Sequence, residues 1–149
     1  MTTDMRTNSS QKSYCTFKIG ELVFGVEVLD VQEVIREQQM TSVPLASSEI
    51  RGLMNLRGQI VTAIDLRERL KLPSQNERAA MNVVVRASDG AVSLLVDEIG
   101  DVIEVSEDQF ELPPETLDGV PRDLIRGTYK LDDYLLLVLD TGRVLDTAA

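Results

Sequence analysis

The sequence predicts a mainly β protein built from two similar modules, and three observations carry that prediction. Short runs with apolar residues at alternate positions recur along the chain, Gly and Asp turns separate them, and the chain repeats its own pattern once. With 149 residues, the chain can bury about two-thirds of the surface that its unfolded form exposes. We therefore expect one folded unit with only short helices, preceded by a polar, disordered tail over residues 1–12.

The strands follow from the alternation, taken in chain order. Cys15, Phe17 and Ile19 alternate with other residues before a turn at Gly20-Glu21, and the alternation resumes in LVFGVEV, residues 22–28. These two runs predict a hairpin. Further strand-like runs occupy residues 60–64, 82–86, 91–96 and 134–139, with a turn at 88–90 joining the second and third of them.

One segment breaks the alternation and predicts a helix instead. In VQEVIRE, residues 31–37, the apolar residues Val31, Val34 and Ile35 have the spacing of one helix face, while Glu33 points elsewhere. The three apolar residues are therefore expected in the core.

The internal repeat rests on two matches. The segment VLDVQEVI, 28–35, is followed 68 residues later by VDEIGDVI, 96–103, with apolar residues at the same places. The segment 50–70 is followed 75 residues later by 125–145, and six of the twenty-one positions are identical. Because the two matches keep one order, they indicate a tandem duplication.

The duplicated unit is a small β module, roughly residues 14–70 and 82–145. A unit of about 60 residues is marginally stable alone, and strands arranged in this way tend to close into small barrels that remove exposed edges. We expect two such barrels to share a core and to leave a groove between them.

The repeat separates two Arg-Gly pairs. Arg51-Gly52 recurs as Arg126-Gly127, which favours a structural role in both modules, with glycine serving an unusual backbone angle or a close approach. Arg57-Gly58 is replaced by Asp132-Asp133 in the second copy, so Arg57 is a candidate for a function of the first copy alone. An ion pair between Arg57 and Glu33 would add little stability but could present the guanidinium to a partner. The alternative is that Arg57 is only a solvated hairpin tip.

Composition excludes several classes of function. A net charge of −10, with fifteen scattered Lys and Arg residues, argues against nucleic-acid binding. Histidine is absent, which removes the commonest general base and metal ligand, and neither a metal nor a cofactor is expected. The single cysteine, Cys15, is expected to be a buried small hydrophobe in a reducing compartment. No apolar run approaches the roughly 18 residues of a membrane span, and the N-terminal segment lacks the apolar centre of a signal peptide.

The most enzyme-like motif is Asp140-Thr141-Gly142, which follows a hydrophobic strand as the catalytic loop of an aspartic protease does. The first copy has Asp65-Leu66-Arg67 at the matching place, so the chain contains no second such loop. The simpler interpretation is that both aspartates cap short helices, at 66–70 and 141–145. We therefore expect a binding protein and not an enzyme.

The motifs taken together resemble the CheW family of bacterial chemotaxis coupling proteins and the related regulatory domain of the kinase CheA. The resemblance covers residues 13–145, and its marks are VQEVI after a GVEV strand, RGLMNLRGQIVTAIDL, LLVDEIGDVIEV and IRGTYKLDDYLLLVLD, in the family's order and spacing. It implies a CheW-like domain over residues 13–147, a tandem pair of intertwined SH3-like five-stranded β-barrels. It also implies a cytoplasmic, non-catalytic adaptor of a two-component system, working at membrane-associated chemoreceptor arrays.

The resemblance further implies the partners and the residues that bind them. The helical hairpin at a chemoreceptor's tip would lie in the groove between the barrels, and the CheA regulatory domain would bind elsewhere, with further contacts between copies or with CheA in rings. The predicted receptor-binding residues are Val31, Glu33, Arg57, Gly58 and Ile60. Gly52 matches a glycine linked to kinase binding. Alternatives with the same fold are a homologue in another chemosensory-like pathway, such as that of a type IV pilus, and the coupling half of a protein that carries a receiver domain.

Overall fold

The computed structural model describes residues 11–73, 81–88, 90–115 and 119–146. Residues 1–10 of the tail predicted over 1–12, and the turn residue Asp89, lie outside these ranges, whereas the last two residues of that predicted tail, Gln11 and Lys12, begin the first strand. No helix in the described part of the chain has the length and apolar character needed to cross a membrane.

The prediction of a mainly β fold with short helices is confirmed, since the described residues form ten strands and two short α-helices. In chain order they are β1 (Gln11–Ile19), β2 (Leu22–Glu27), β3 (Val31–Arg36), β4 (Ile50–Leu56), β5 (Gln59–Asp65), α1 (Leu66–Arg69), β6 (Met81–Ala87), β7 (Gly90–Val96), β8 (Glu98–Ser106), β9 (Ile125–Lys130), β10 (Leu135–Leu139) and α2 (Thr141–Leu145).

The described strands form two five-stranded sheets that exchange hairpins between the repeats. The first sheet has the order β8-β1-β2-β10-β9, and the second has the order β3-β6-β7-β5-β4. Each sheet therefore combines the opening hairpin of one repeat with three strands of the other. A parallel pairing joins the two parts of each sheet, β2 with β10 and β5 with β7. When strands are matched by their place in the repeat, the two orders are the same.

The central strands are buried on both faces, which explains their nearly continuous apolar sequences. In β10, Leu137 and Leu139 belong to a core shared by the two sheets, while Leu136 and Val138 belong to a second cluster within the first sheet. Strand β6 divides in the same way, because its Val84 packs within the second sheet. The shared core holds the two sheets together and fixes the groove between them.

The helix predicted for residues 31–37 is wrong, because 31–36 form strand β3. Val31 pairs with Val85 and Glu33 pairs with Val84, so one extra residue of β3 is accommodated in a β-bulge. The bulge interrupts the period of two and gives the apolar residues a spacing that resembles a helix. Within β3, Val31 contacts the shared core, whereas Val34 is 38% exposed.

The two short helices begin where the capping aspartates predict. Asp65 Oδ1 accepts a hydrogen bond from the Glu68 N–H at 3.3 Å, and Asp140 Oδ1 accepts one from the Arg143 N–H at 3.2 Å. Each carboxylate satisfies a backbone donor that a helix leaves free in its first turn. The capping interpretation of both aspartates is therefore confirmed.

Gly52 and Gly127 occupy equivalent close approaches. A Cβ at Gly52 would lie 2.7 Å from the Thr41 carbonyl oxygen, and a Cβ at Gly127 would lie 2.8 Å from the Glu111 oxygen. In both places a passing segment forms an isolated bridge with the strand, as Thr41 does with Leu53. The close-approach interpretation of the repeated Arg-Gly pair is confirmed.

Candidate functional site

The tip of the β4–β5 hairpin has the backbone geometry that its sequence requires. Arg57 and Gly58 form a two-residue turn with φ values of 54° and 86°, and two positive φ values characterise a type I′ hairpin turn. The Gly58 N–H donates a hydrogen bond of 2.9 Å to the Asn55 side-chain oxygen. The left-handed arginine is therefore held at the extreme end of the hairpin.

Arg57 reaches back to the edge strand β3 and forms an ion pair with Glu33. The hydrogen bond that Arg57 Nη1 donates is the main cause that lowers the pKa of the Glu33 carboxyl, and the same contact raises the pKa of Arg57. Glu33 is only 17% exposed, whereas the Arg57 side chain is 72% exposed. The guanidinium carries five N–H donors, so it can remain paired with Glu33 while it offers others to a partner.

The bulge in β3 sends Val31 and Glu33 to different surroundings. Val31 packs against the shared core, while Glu33 meets the β4–β5 tip. Arg86 on β6 holds the start of this strand, since its Nη1 donates to the backbone oxygens of Leu29 and Val31, both at 2.9 Å. Arg86 therefore positions β3 without touching Glu33.

A groove of about 950 Å³ lies between the two sheets. Its walls come from β5, β6 and β7 on one side and from β9 and α2 on the other, and they include Ile60, Thr62, Arg86, Arg126, Gly142 and Leu145. Ile60 is 65% exposed and lies two residues after Gly58, so the Arg57-Gly58 turn lies near this end of the groove. Asp140 also lines this groove, with one of its oxygens bonded to the α2 backbone.

The structure brings together most of the predicted receptor-binding residues. Glu33, Arg57 and Gly58 meet at the hairpin tip, and Ile60 leads from that tip into the groove. Val31 lies apart from them against the shared core, half-buried. Gly52, the predicted kinase-binding residue, is buried on β4 beside the Thr41 backbone, so its influence on any surface is indirect.

The second copy of the module cannot build the same site. Asp132 and Asp133 stand at the corresponding tip, and Asp101 stands in place of Glu33. Because all three are carboxylates, they cannot form an arginine–carboxylate pair. The replacement of Arg57-Gly58 by Asp132-Asp133 therefore gives the two hairpin tips different chemistry: an arginine–carboxylate pair in the first copy and carboxylates alone in the second.

Sequence reasoning missed Arg86 and the position of Leu29. Arg86 follows three valines and gives no local signal, because its role depends on the bulge in the neighbouring strand. Leu29 belongs to a 3₁₀ turn and is 83% exposed. The alternating pattern of the neighbouring residues does not predict this exposure.

Other reactive side chains have environments that keep them neutral. Burial raises the pKa of the Tyr14 hydroxyl, and a hydrogen bond with Tyr129 adds to the effect. Burial also raises the pKa of the Cys15 thiol, which is half-buried and not fully buried as predicted. Among the described residues, no cluster of three His, Cys, Asp or Glu side chains is arranged to hold a metal ion.

Comparisons with known proteins agree on one family. The CheW-like domain family matches residues 13–149. The chain is 33% identical to Chemotaxis protein CheW of Bacillus subtilis, over 98% of this chain and 92% of that protein, and 28% identical to Chemotaxis protein CheW of Treponema pallidum, over 96% and 87%. The crystal structure of scaffolding protein TtCheW from Thermoanaerobacter tengcongensis has the same fold, with a TM-score of 0.85 at 24% identity, over 99% of this chain and 96% of that one. The chain belongs to the CheW-like domain family.

Proposed function

We propose that the protein is a non-catalytic adaptor that couples the tips of chemoreceptors to a CheA-type histidine kinase in chemotaxis signal transduction. Membership of the CheW-like family supports this function, as do relatives named chemotaxis protein CheW and a structural neighbour named a scaffolding protein. The observation that carries the proposal is the exposed Arg57, held by Glu33 beside an open groove.

The proposed receptor surface suits a helix of a hairpin bundle. A helix with its side chains is about 10–12 Å across, and a groove open to solvent can take one face of it. Ile60 supplies exposed apolar surface, and Arg57 supplies N–H donors for a carboxylate or a backbone carbonyl. Such a charge-assisted contact sets the register of the helix more than it adds affinity.

The proposed kinase surface is the edge near Gly52. The glycine lets the Thr41 segment lie against β4 through mutual backbone hydrogen bonds with Leu53, both 2.8 Å long. A side chain at this position would push the segment outward and change the surface that it forms. Gly52 would thus act on kinase binding through the position of its neighbours.

The proposed place of action is the membrane-associated chemoreceptor array, where receptor tips and kinase would hold the protein. Contacts in an array are many and individually weak, so their joint effect depends on multivalency. Contacts between copies of this chain, or with further kinase domains, would extend the array.

The test is an equilibrium titration of the protein with a receptor-tip hairpin fragment and, separately, with the kinase regulatory domain. Arg57→Ala should weaken hairpin binding by about tenfold or more, because a central arginine of an interface is a frequent hot spot. Lys130→Ala is the matched control. Like Arg57, Lys130 is exposed (74%) and forms an ion pair, here with Glu111, but it lies on β9 of the first sheet, whereas Arg57 lies in the β4–β5 turn of the second. Wild-type protein that binds neither partner would refute the proposal.

A second candidate is the same adaptor role in another chemosensory-like pathway. One relative, Protein PilI of Pseudomonas aeruginosa, is 28% identical over 76% of this chain and 64% of that protein. The two candidates differ in partner and not in mechanism. Titration against receptor tips from both kinds of pathway separates them, because the cognate tip should bind more tightly.

An aspartic-protease activity is the remaining alternative, and a substitution of Asp140 tests it. Asn caps helices as well as Asp does, so Asp140→Asn should keep α2 and the binding of both partners intact. Proteolysis that is present in the wild type and lost in this variant would contradict the non-catalytic proposal.

A further inference from the structure

The duplication gives the molecule two pseudo-equivalent faces, and the groove lies on one of them. Helices α1 and α2 correspond through their caps, Asp65 and Asp140, so Arg67 of the first copy corresponds to Gly142 of the second. The segments 28–35 and 96–103 correspond likewise, so Leu29 occupies the place of Asp97.

On the face opposite the groove, Arg67 and Asp97 form a cross-link. Arg67 Nη2 donates to Asp97 Oδ2 at 2.6 Å, and the Gly20 N–H donates to the same oxygen at 2.7 Å. Arg67 Nη1 also donates to the Pro73 carbonyl at 3.0 Å, and the Arg67 side chain is only 13% exposed. The cross-link therefore ties α1 of one sheet to the β1–β2 turn of the other and occupies the space between them.

On the groove face, both partners of this cross-link are replaced. Gly142 lines the groove and has no side chain, and Leu29, in the place of the carboxylate, is 83% exposed. The space that the arginine fills on one face is an open groove on the other. Both members of the cross-link therefore differ between the two faces.

We propose that Gly142 and Leu29 are specificity determinants that keep one of two pseudo-equivalent grooves open, so that the receptor hairpin docks on one face of the molecule. This inference rests on the proposed function and deepens it. Leu29 adds an apolar anchor beside the groove, next to Asp30 on its wall. Ile60 lines the groove and lies two residues after the Arg57-Gly58 turn, which argues for the receptor hairpin as its occupant.

The charges on the groove walls also fit an amphipathic helix that carries both signs. Arg86 and Arg126 line it together with Asp30 and Asp146. A purely acidic or purely basic helix would meet like charges on one wall, whereas a helix with Glu and Lys or Arg on its flanks finds opposite charges on both walls.

The cross-link can be installed in the groove because the backbone there accepts a side chain. A Cβ at Gly142 would have Asp140 Oδ1 as its nearest neighbour at 3.7 Å, an ordinary contact, and Gly142 lies within helix α2 without a positive φ. Leu29 is exposed, so an aspartate in its place meets no packed core.

The experiment compares the wild type with the double variant Gly142→Arg/Leu29→Asp, its two single variants, and Lys130→Ala as a control outside the groove. Formation of the cross-link should make the melting temperature of the double variant higher than the sum of the single effects predicts. The double variant should lose about tenfold or more in affinity for the receptor-tip hairpin and stay within about twofold of the wild type for the kinase regulatory domain. Lys130→Ala should bind both partners as the wild type does.

Each outcome decides the inference. A folded double variant that binds the hairpin as tightly as the wild type would overturn it. If the double variant does not fold, Leu29→Asp alone should still weaken hairpin binding several-fold, and unchanged binding would also overturn it. Wild-type protein that binds neither partner would remove the proposed function, while the coupling between the two substitutions in thermal melting would still show whether the cross-link can close this groove.

Discussion

Gly52→Ala tests the claim that the repeated glycine exists for a close approach. The new methyl group would lie 2.7 Å from the Thr41 oxygen and 3.2 Å from the Met40 Cβ, and at least one of these groups must move. The neighbour at the shorter distance is backbone, which cannot rotate away as a flexible side chain would. The Thr41–Leu53 bridge, with its two hydrogen bonds of 2.8 Å, is therefore the structure at risk.

The expected loss of stability follows from that bridge. Two backbone hydrogen bonds contribute about 1–3 kcal/mol together, and overpacking of a tight site costs a similar amount. Replacing glycine by alanine also stabilises the folded state by about 0.4–1 kcal/mol, because it lowers the conformational entropy of the unfolded chain. Because the clash is relieved either by breaking these bonds or by overpacking, only one of the two costs applies, and we expect a net decrease of about 0.5–2.5 kcal/mol in the free energy of unfolding. The melting temperature should fall by about 1–10 °C for a domain of this size.

Gly142→Ala is the matched control, because it makes the same chemical change within α2 at a place where the new methyl group makes only an ordinary contact. Alanine favours a helix over glycine by about 0.8–1 kcal/mol, so the control should melt at or above the wild-type temperature. Calorimetry measures both variants, and native-state hydrogen exchange at the Thr41 and Leu53 amides locates the damage. A Gly52→Ala protein as stable as the wild type, with both amides still protected, would refute the close-approach argument.

Three further predictions concern single side chains. Arg69 is 16% exposed and donates to three backbone carbonyls at the end of α2, at 2.6 to 3.0 Å, so Arg69→Ala should lower the free energy of unfolding by about 2–4 kcal/mol in chemical denaturation. Because the hydrogen bond from Arg57 lowers the pKa of Glu33, the stabilisation by this carboxylate is complete above its ordinary pKa of 4.5 and is lost as the pH falls through the lower folded value. An NMR titration should show that pKa rising toward 4.5 in Arg57→Ala, and an unchanged pKa would contradict the pairing. Arg86→Ala should weaken hairpin binding several-fold by releasing the start of β3, Arg86→Lys should restore part of the affinity, and equal binding by all three proteins would exclude a positioning role for Arg86.

Much of the fold was readable from local patterns. The β1–β2 hairpin, the strand after Arg57-Gly58 and the capped helices were predicted because alternation, turn glycines and capping aspartates act within a few residues. The exchange of hairpins between the sheets depends on the parallel pairing of distant strands, which leaves no local mark. The helix prediction for residues 31–37 was wrong for a related reason. The β-bulge that gives β3 its irregular apolar spacing is defined by the pairing of β3 with β6, which is distant in sequence.

The candidate site shows the same division. The contrast between Arg57 and Asp132 was visible in the repeat. The structure adds that Arg57 forms an ion pair with Glu33. Arg86 and Leu29 gain their places only when β3, β6 and the groove are assembled, so no spacing in the sequence reveals them. The binding roles of all these residues stay predictions that the titrations address.

The most direct test of the coupling function is whether one molecule of this protein holds both partners at once. The receptor-tip hairpin is titrated into the protein saturated with the kinase regulatory domain, and sedimentation measures the mass of the complex. An adaptor predicts a ternary complex, with hairpin affinity close to that of the free protein and lost in Arg57→Ala. Release of the kinase domain as the hairpin binds would contradict the account, because a single surface would then serve both partners and could not couple them.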